Sequence, residues 1–360
     1  MIIFIFHNIN YAIFFLLLIL AAIMQHFDLT KTNELLQSSQ NIVITCHKGP
    51  DGDAIGSSLA LYLYLKKHSK NVSIVVPDDF PYFLKWLPNS EDIICYDTCN
   101  ETATNLIKNA DLIFSLDYNA LNRTGDMRSA LEAANAQFIM IDHHQQPDDY
   151  ATVTYSDTSI CSTCQMIYHF IDALGHLNYI DAAIANCIYT GIMTDTGSFR
   201  FRSTTSTTHR VIARLIDIGI DNAKIHQNVY DSNSYSRLQL LGQSLTNLKV
   251  IPELNTAYIT LSAAELEQYN AQKGDTEGVV NYALSLQDIK LAAIFKEDLN
   301  SGLIKISFRS KGNFSVNEFA RTHFNGGGHI NAAGAASNSS LQETLDKFIS
   351  ILPNYQKELN

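Results

Sequence analysis

His47, Asp51 and Asp53 fall within seven residues, His47-Lys48-Gly49-Pro50-Asp51-Gly52-Asp53, so three side chains of metal-ligand type crowd one short stretch. Three more clusters follow apolar runs. "DLIFSLD" carries Asp117, "QFIMIDHH" carries Asp142, His143 and His144, and "IYTGIMTDTGSFRF" carries Asp195 with Arg200 and Arg202 beyond it. Carboxylates mixed with imidazoles suit Mn²⁺ first and Mg²⁺ as the alternative, whereas a structural zinc prefers thiolates in a closed tetrahedron. His47, Asp51, Asp53, Asp117, His143 and Asp195 make six candidate ligands. That is too many for one ion with an open position and fits two divalent ions about 3.5–4 Å apart sharing a carboxylate. The natural task of such a pair is in-line displacement at phosphorus by hydroxide, with the cations offsetting charge on the attacking and leaving oxygens.

Such clusters need elements that bring them together. "NIVITC", Asn41 to Cys46, is short, apolar and β-branched and predicts a buried strand, while "AIGSSLALYLYLKK" predicts a helix after it. The first ligands therefore sit on a strand-to-helix turn, at the carboxyl edge where α/β sheets build their sites, with Gly49, Pro50 and Gly52 supplying the tight backbone.

In this order, "HKGPDGDAIGS", "SLD", "IDHH" and "TDTGSFRF" resemble the four motifs of the DHH phosphoesterase superfamily. Asp142-His143-His144 matches its namesake triplet. "SFRSKGNFSVNEFA" and "GGGHINAAGA" resemble the DHHA1 domain of its oligoribonuclease and 3′-phosphoadenosine-5′-phosphate (pAp) phosphatase branch, so the likeness runs from about Asn41 to Ala336. The resemblance implies one metal on His47, Asp51 and Asp117 and a second on Asp53, Asp117, His143 and Asp195, with Asp117 bridging. It places His144 beside the scissile phosphate. Asp142 then orients the neighbouring imidazoles, as carboxylates behind ligating histidines do. The implied activity is hydrolysis of short oligoribonucleotides to nucleoside 5′-monophosphates and removal of the 3′-phosphate of pAp. Rivals are a cyclic dinucleotide phosphodiesterase, an inorganic pyrophosphatase, and a nucleotide sensor without turnover; a sensor should have lost at least one of the six ligands, and none is missing.

Single residues have plainer readings. Asp117 alone would be a helix cap or turn former. Arg200 is a candidate phosphate clamp, and both it and Arg202 also fit a solvated strand face.

At 360 residues the chain exceeds one ordinary core, and an α/β protein of two domains is expected. Residues 28–216 read as the catalytic domain with a mostly parallel sheet, 217–247 as a helical connector, and 248–355 as a smaller mixed α/β domain, with the active site in the cleft between domains. In the second domain, "NGGGHI" places glycines, Gly327 and Gly328 among them, before His329, where backbone N–H groups form a nest for an anion or base. Arg321 and His323 lie close by in sequence. By resemblance, Arg309, Ser310, Asn313 and His329 hold the 5′ end or base of a short nucleotide; a tight turn with solvated charges is the plain alternative.

A net charge of −11 argues against long nucleic acid, which needs a basic stripe facing many phosphates. Short oligoribonucleotides and pAp need only a few cations besides the metals. The sequence implies no stable protein partner and leaves a homodimer open. Cys161 and Cys164 form a lone CxxC, and Ser162-Thr163 reads as the start of a helix there. With Cys46, Cys95, Cys99 and Cys187 out of any framework spacing, reduced thiols in a cytoplasmic protein are expected.

Residues 1–27 depart from the family pattern as an apolar extension. The unbroken apolar run Tyr11 to Met24 has 14 residues, short of the roughly 20 that span a bilayer. No Lys or Arg precedes Lys31, which argues against a secretory signal. Two readings fit, membrane association through residues 1–24 or a true start at Met24, and the second is favoured.

Overall fold

Alternating apolar strands and buried helices organise the first half of the chain. In the computed structural model, which describes residues 27–299 and 301–360, strands β1 (Asn41–Thr45), β2 (Asn71–Val76), β3 (Ile94–Cys95), β4 (Leu112–Leu116), β5 (Gln137–Asp142) and β6 (Val153–Ser156) form one sheet in the order β3-β2-β1-β4-β5-β6. Every pairing is parallel. All residues of β4 are buried, as strands covered on both faces require. Successive side chains go to opposite layers. Ile42 and Ile44 pack with Ile55, Leu59, Ile167 and Ile188 of helices Gly52–Lys66, Thr163–Ala173 and Ala182–Asp195, while Val43 joins Ala103 and Ile107 of helix Asn100–Lys108.

The strand order reverses between β1 and β4, since β1 has β2 on one side and β4 on the other. Chains leaving the carboxyl ends of these two strands diverge and open a crevice, the usual ligand position in an open α/β sheet.

Helices Gly52–Lys66 and Ala182–Asp195 come close enough that side chains would not fit at the crossing. A Cβ on Gly56 would lie 2.7 Å from the Cys187 carbonyl oxygen, and one on Gly191 2.1 Å from Cys164 Sγ and 2.9 Å from Asp53 Oδ1. Close backbone approach thus brings the start of one helix near the end of the other.

The chain divides between Asp231 and Ser232 into two compact units. The boundary lies inside the 217–247 stretch read as connector and is followed by helix Tyr235–Thr246. In the second unit, β7 (Lys249–Ile251), β8 (Thr256–Leu261), β9 (Leu291–Glu297), β10 (Ile304–Ser310), β11 (Gly327–His329) and β12 (Ala332–Ser337) form a sheet ordered β11-β12-β10-β9-β8-β7. β8 and β9 are parallel and the other pairs antiparallel, so the sheet is mixed, as the sequence leads one to expect. Phe295, Phe308, Phe319 and Phe348 fill one face; Ile259, Leu261, Val280 and Ile294 fill the other.

One local difference stands out in this unit. "GGGHINAAGA" forms the edge hairpin β11-β12, with His329 opposite Ala332. Gly and Ala have little strand propensity, so neighbouring strands set this conformation rather than local preference.

Among the described residues no helix is long and apolar enough to cross a membrane. The apolar run Tyr11 to Met24 lies outside the described residues.

Candidate active site

Asp51 caps helix Gly52–Lys66, its Oδ1 accepting the backbone N–H groups of Asp53 and Ala54 at 3.0 and 3.1 Å. That cap turns the chain out of β1 and buries Asp53 in the first turn. Asp53 in turn meets a second helix start. Its Oδ2 accepts Thr163 N–H at 2.6 Å and its Oδ1 accepts Cys164 N–H at 2.8 Å, so a carboxylate sits on the positive end of helix Thr163–Ala173.

Asp117, directly after β4, holds φ at +62°. A left-handed backbone is uncommon outside glycine, although Asp tolerates it better than most, and such conformations gather at functional sites. The payoff is placement. Asp117 Oδ2 faces His47 Nε2 at 3.4 Å while Oδ1 faces His143 Nε2 at 3.5 Å, and Oδ1 also accepts the Thr163 hydroxyl at 3.0 Å. One carboxylate therefore presents an oxygen to each of two imidazoles.

The histidines are oriented from behind. His47 Nδ1 lies 3.1 Å from the Lys48 carbonyl oxygen and His143 Nδ1 3.2 Å from that of Ile160, so each ring donates there and turns Nε2 toward the carboxylates. His143 Nε2 lies 3.6 Å from Asp53 Oδ2 and 3.6 Å from Asp195 Oδ2, Asp195 being the last residue of its helix. Asp142 ends β5 fully buried and grips His144 through both its backbone N–H and its ring.

Two sets of donor atoms result, His47 with Asp51 and Asp117, and Asp53 with His143 and Asp195, each lying within 4.8 Å of one another. Asp117, Asp142 and His144 form a third such set. All six side chains expected as ligands are thus gathered at the crevice between β1 and β4.

The electrostatics fit a cation. Burial, followed by the charges of Asp117 and Asp195, pushes the Asp53 carboxyl well up. Burial would raise Asp117 too, but hydrogen bonds from His143 and His47 hold it well below the usual carboxylate range. Burial would lower His143, yet its hydrogen bond to Asp117 and the charges of Asp195, Asp117 and Asp53 carry it well above the ordinary histidine value. Three carboxylates around one buried imidazole repel one another, and a divalent ion relieves that repulsion while accepting Nε2 and the carboxylate oxygens as ligands. The donor chemistry, oxygens with two imidazoles and no thiolate, suits Mn²⁺ or Mg²⁺.

Other expected residues lie differently. Arg200 is exposed, and its Nε donates to the Gly197 carbonyl at 2.7 Å; Arg202 is exposed as well. In the second unit, Arg309 Nη1 donates to the Phe308 carbonyl. Ser310 is buried, donating to the Phe314 carbonyl at 2.6 Å and accepting from Asn331 at 2.8 Å, so its hydroxyl braces a turn. Asn313 lines an open depression with Lys290 and Lys311. Gly327, Gly328 and His329 form the edge strand β11.

Sequence reasoning missed two parts of this site. The first is the role of the start of helix Thr163–Ala173: Ser162-Thr163 does open a helix as the sequence leads one to expect, but that its amides and hydroxyl hold Asp53 and Asp117 was not foreseen. Both thiols of the CxxC pair are buried, burial raising Cys161 to about 12 and Cys164 well above its ordinary value, which disfavours the reactive thiolate. The second is Arg123, half-buried after β4, whose carbonyl accepts Lys48 N–H at 2.8 Å and whose charge reaches both His47 and His144. A lone Arg in "NALNRTGD" carries no spacing signal.

Comparison with known proteins agrees with this geometry. Residues 41–192 match the DHH family, N-terminal domain, and residues 255–358 match the DHHA1 domain. The chain is 32% identical over 295 residues to the bifunctional oligoribonuclease and PAP phosphatase NrnA of Thermus thermophilus, covering 82% of this chain and 83% of that one. The protein of that name from Bacillus subtilis is 28% identical over 299 residues, covering 82% and 88%. A crystal structure of an exopolyphosphatase-related protein from Bacteroides fragilis superposes with a TM-score of 0.86 at 41% identity, covering 92% of this chain and 96% of that one.

Proposed function

The chain belongs to the DHH–DHHA1 family of phosphoesterases, and from that premise we propose that it hydrolyses short oligoribonucleotides to nucleoside 5′-monophosphates and removes the 3′-phosphate of pAp. The observation that carries this reading is the convergence of six ligand side chains where the sheet order reverses, with Asp117 offering one oxygen to each half of the set.

His47, Asp51 and Asp117 would hold one divalent ion, and Asp53, Asp117, His143 and Asp195 a second. When bound, such ions supply positive charge that activates water near neutral pH and offsets charge on the phosphoryl oxygens. The remaining work falls to the chain. Thr163 and Cys164 amides fix Asp53, and the Ile160 carbonyl fixes His143, so the ligand set needs little reorganisation. Asp142 accepts a hydrogen bond from the Nδ1–H of His144, which would leave Nε2 to take up and return a proton at the reacting phosphate. Burial, with the Arg123 charge behind it, lowers the His144 pKa, which keeps that nitrogen free to accept. Arg123, whose charge reaches His47 and His144, and Arg200 would steady phosphoryl oxygens, and the second unit, through Arg309, Asn313 and His329, would take the nucleoside.

The similarity to the NrnA proteins of Thermus thermophilus and Bacillus subtilis, each a bifunctional oligoribonuclease and PAP phosphatase, supports the substrate class. Turnover of a 5′-labelled RNA dinucleotide, pAp and cyclic di-AMP with Mn²⁺, followed by chromatography for the wild-type chain and Asp117→Ala, tests the proposal. Linear dinucleotide and pAp hydrolysis that disappears in the variant is expected. Cleavage of cyclic di-AMP alone would overturn the substrate, and no turnover of any together with tight nucleotide binding would establish a sensor.

A further inference from the structure

Strands β9 and β10 set two lysines against each other. Lys296 stands directly opposite Lys305 in this antiparallel pair, so both side chains leave the sheet on the same face. Like charges at opposed positions destabilise a sheet unless each finds a carboxylate. Only Lys305 finds one, pairing with Asp298 at 2.5 Å while remaining exposed. Lys296 is half-buried, on the strand face where Ala292 and Ile294 pack with Val279 and Val280 of helix Val279–Ser285.

The Lys296 ammonium has a different partner. Its Nζ donates to the Thr276 hydroxyl at 2.7 Å, and among the described residues no carboxylate pairs with it, in a chain with 36 acidic side chains against 25 basic ones. A hydroxyl accepts from an ammonium and donates to a free amine, so it satisfies either form, whereas a carboxylate favours the charged one. Burial, followed by the charge of Lys305, lowers the Lys296 pKa; Asp298 and Glu277 oppose that and Lys273 adds to it. On the other neighbouring strand, β8, the opposed residue is Leu261, which carries no charge.

We propose that Lys296, opposed by Lys305 and held by Thr276, is a modification site, a nucleophilic amine that takes acyl groups from small acyl phosphates. Lysines beside a second cation and partly withdrawn from water are the ones that react as free amines. The nitrogen lone pair attacks the acyl carbon and forms the amide. The bond from that carbon to the phosphate oxygen breaks, phosphate leaves with the electron pair, and the amine gives one proton to solvent. The amide is uncharged, so acylation also removes the like-charge contact with Lys305. All of the groups involved belong to the second unit, and the reaction asks nothing of the first.

The test is incubation of the full chain with acetyl phosphate at neutral pH, with acetylation of each lysine followed over time by peptide mass spectrometry. Exposed Lys108 and Lys357 serve as internal standards. Lys296 should acetylate about fivefold faster than either, because each unit by which an amine pKa falls gives about tenfold more free amine near neutrality, and half-burial takes back part of that gain. The lead should shrink as pH approaches the ordinary lysine value of about 10.4, where any lysine becomes a free amine. Lys305→Gln should remove most of the lead, since it deletes the opposing charge and releases Asp298 to hold the Lys296 ammonium. Acetylation of Lys296 no faster than that of the two standards would overturn the proposal. So would a lead that is the same at every pH, or one that persists undiminished in Lys305→Gln.

Discussion

Asp142 holds His144 at two points, Oδ1 lying 2.6 Å from the ring Nδ1 and Oδ2 accepting the His144 backbone N–H at 2.9 Å. One carboxylate thus makes two contacts with a residue two positions further along the chain. The carboxylate fixes both the ring tautomer and the backbone that carries the ring, which makes the pair a unit.

Asp142→Asn should therefore impair turnover without removing the metal ligands. An amide can present its N–H₂ to Nδ1 and favour the wrong tautomer, so a fall in kcat of about 10²- to 10⁴-fold is expected on an RNA dinucleotide. Metal content measured by elemental analysis should stay the same. An unchanged kcat would show that the His144 tautomer is irrelevant to the reaction.

Asp117 serves both halves of the ligand set, and its loss should be felt in both. Asp117→Ala is expected to weaken Mn²⁺ binding and lower activity by more than about 100-fold, beyond the effect usual for residues that only orient ligands. In the wild type, chelation should abolish turnover and also lower the melting temperature, since a bound ion stabilises the folded state. A melting temperature indifferent to Mn²⁺ would argue against a metal at this position.

Gly191 lets two helices meet beside Asp53. Gly191→Ala places a methyl against Cys164 Sγ and Asp53 Oδ1 and should destabilise the first unit by about 1–3 kcal/mol, with activity falling as Asp53 is displaced. Cys164→Ala in the same chain should recover part of the stability by vacating the space. Thermal melts of the single and double variants measure this, and a single variant as stable as wild type would contradict the close approach.

His169, on helix Thr163–Ala173, has its pKa lowered by burial to about 4. A histidine whose folded pKa lies below its unfolded value of about 6.5 stabilises the fold above that value and withdraws the stabilisation as pH falls. The loss accrues between pH 6.5 and about 4 at up to about 1.4 kcal/mol per unit. Replacing the ring with an uncharged amide in His169→Gln should flatten the stability profile over that window in denaturant titrations. Parallel profiles for the two proteins would show that His169 does not titrate with folding.

Much of this was legible beforehand because its signals are local. "NIVIT" and "LIFSL" are apolar runs of strand length that announce a doubly covered parallel sheet, and ligand-type residues just after them mark its carboxyl edge. Less legible was β11-β12, where glycines and alanines accept a strand conformation only because β10 already offers a partner. Ser310 illustrates a second limit. Its place in an RSKG motif points to substrate, yet its hydroxyl is engaged by Phe314 and Asn331, partners that no spacing along the chain discloses.

Residue type and order alone determined the fold class and the six side chains that gather in the first unit, because hydrophobic period and ligand chemistry are written along the chain; the phosphoesterase family followed from the resemblance of its motifs. Tertiary structure decided what those side chains face. It set Asp117 in a left-handed turn between two imidazoles, aimed the start of helix Thr163–Ala173 at Asp53, brought Arg123 within reach of His144 and led Lys296 to the Thr276 hydroxyl. Each of these depends on contacts between residues distant in sequence or on a backbone angle imposed by packing, and neither is encoded in any local pattern.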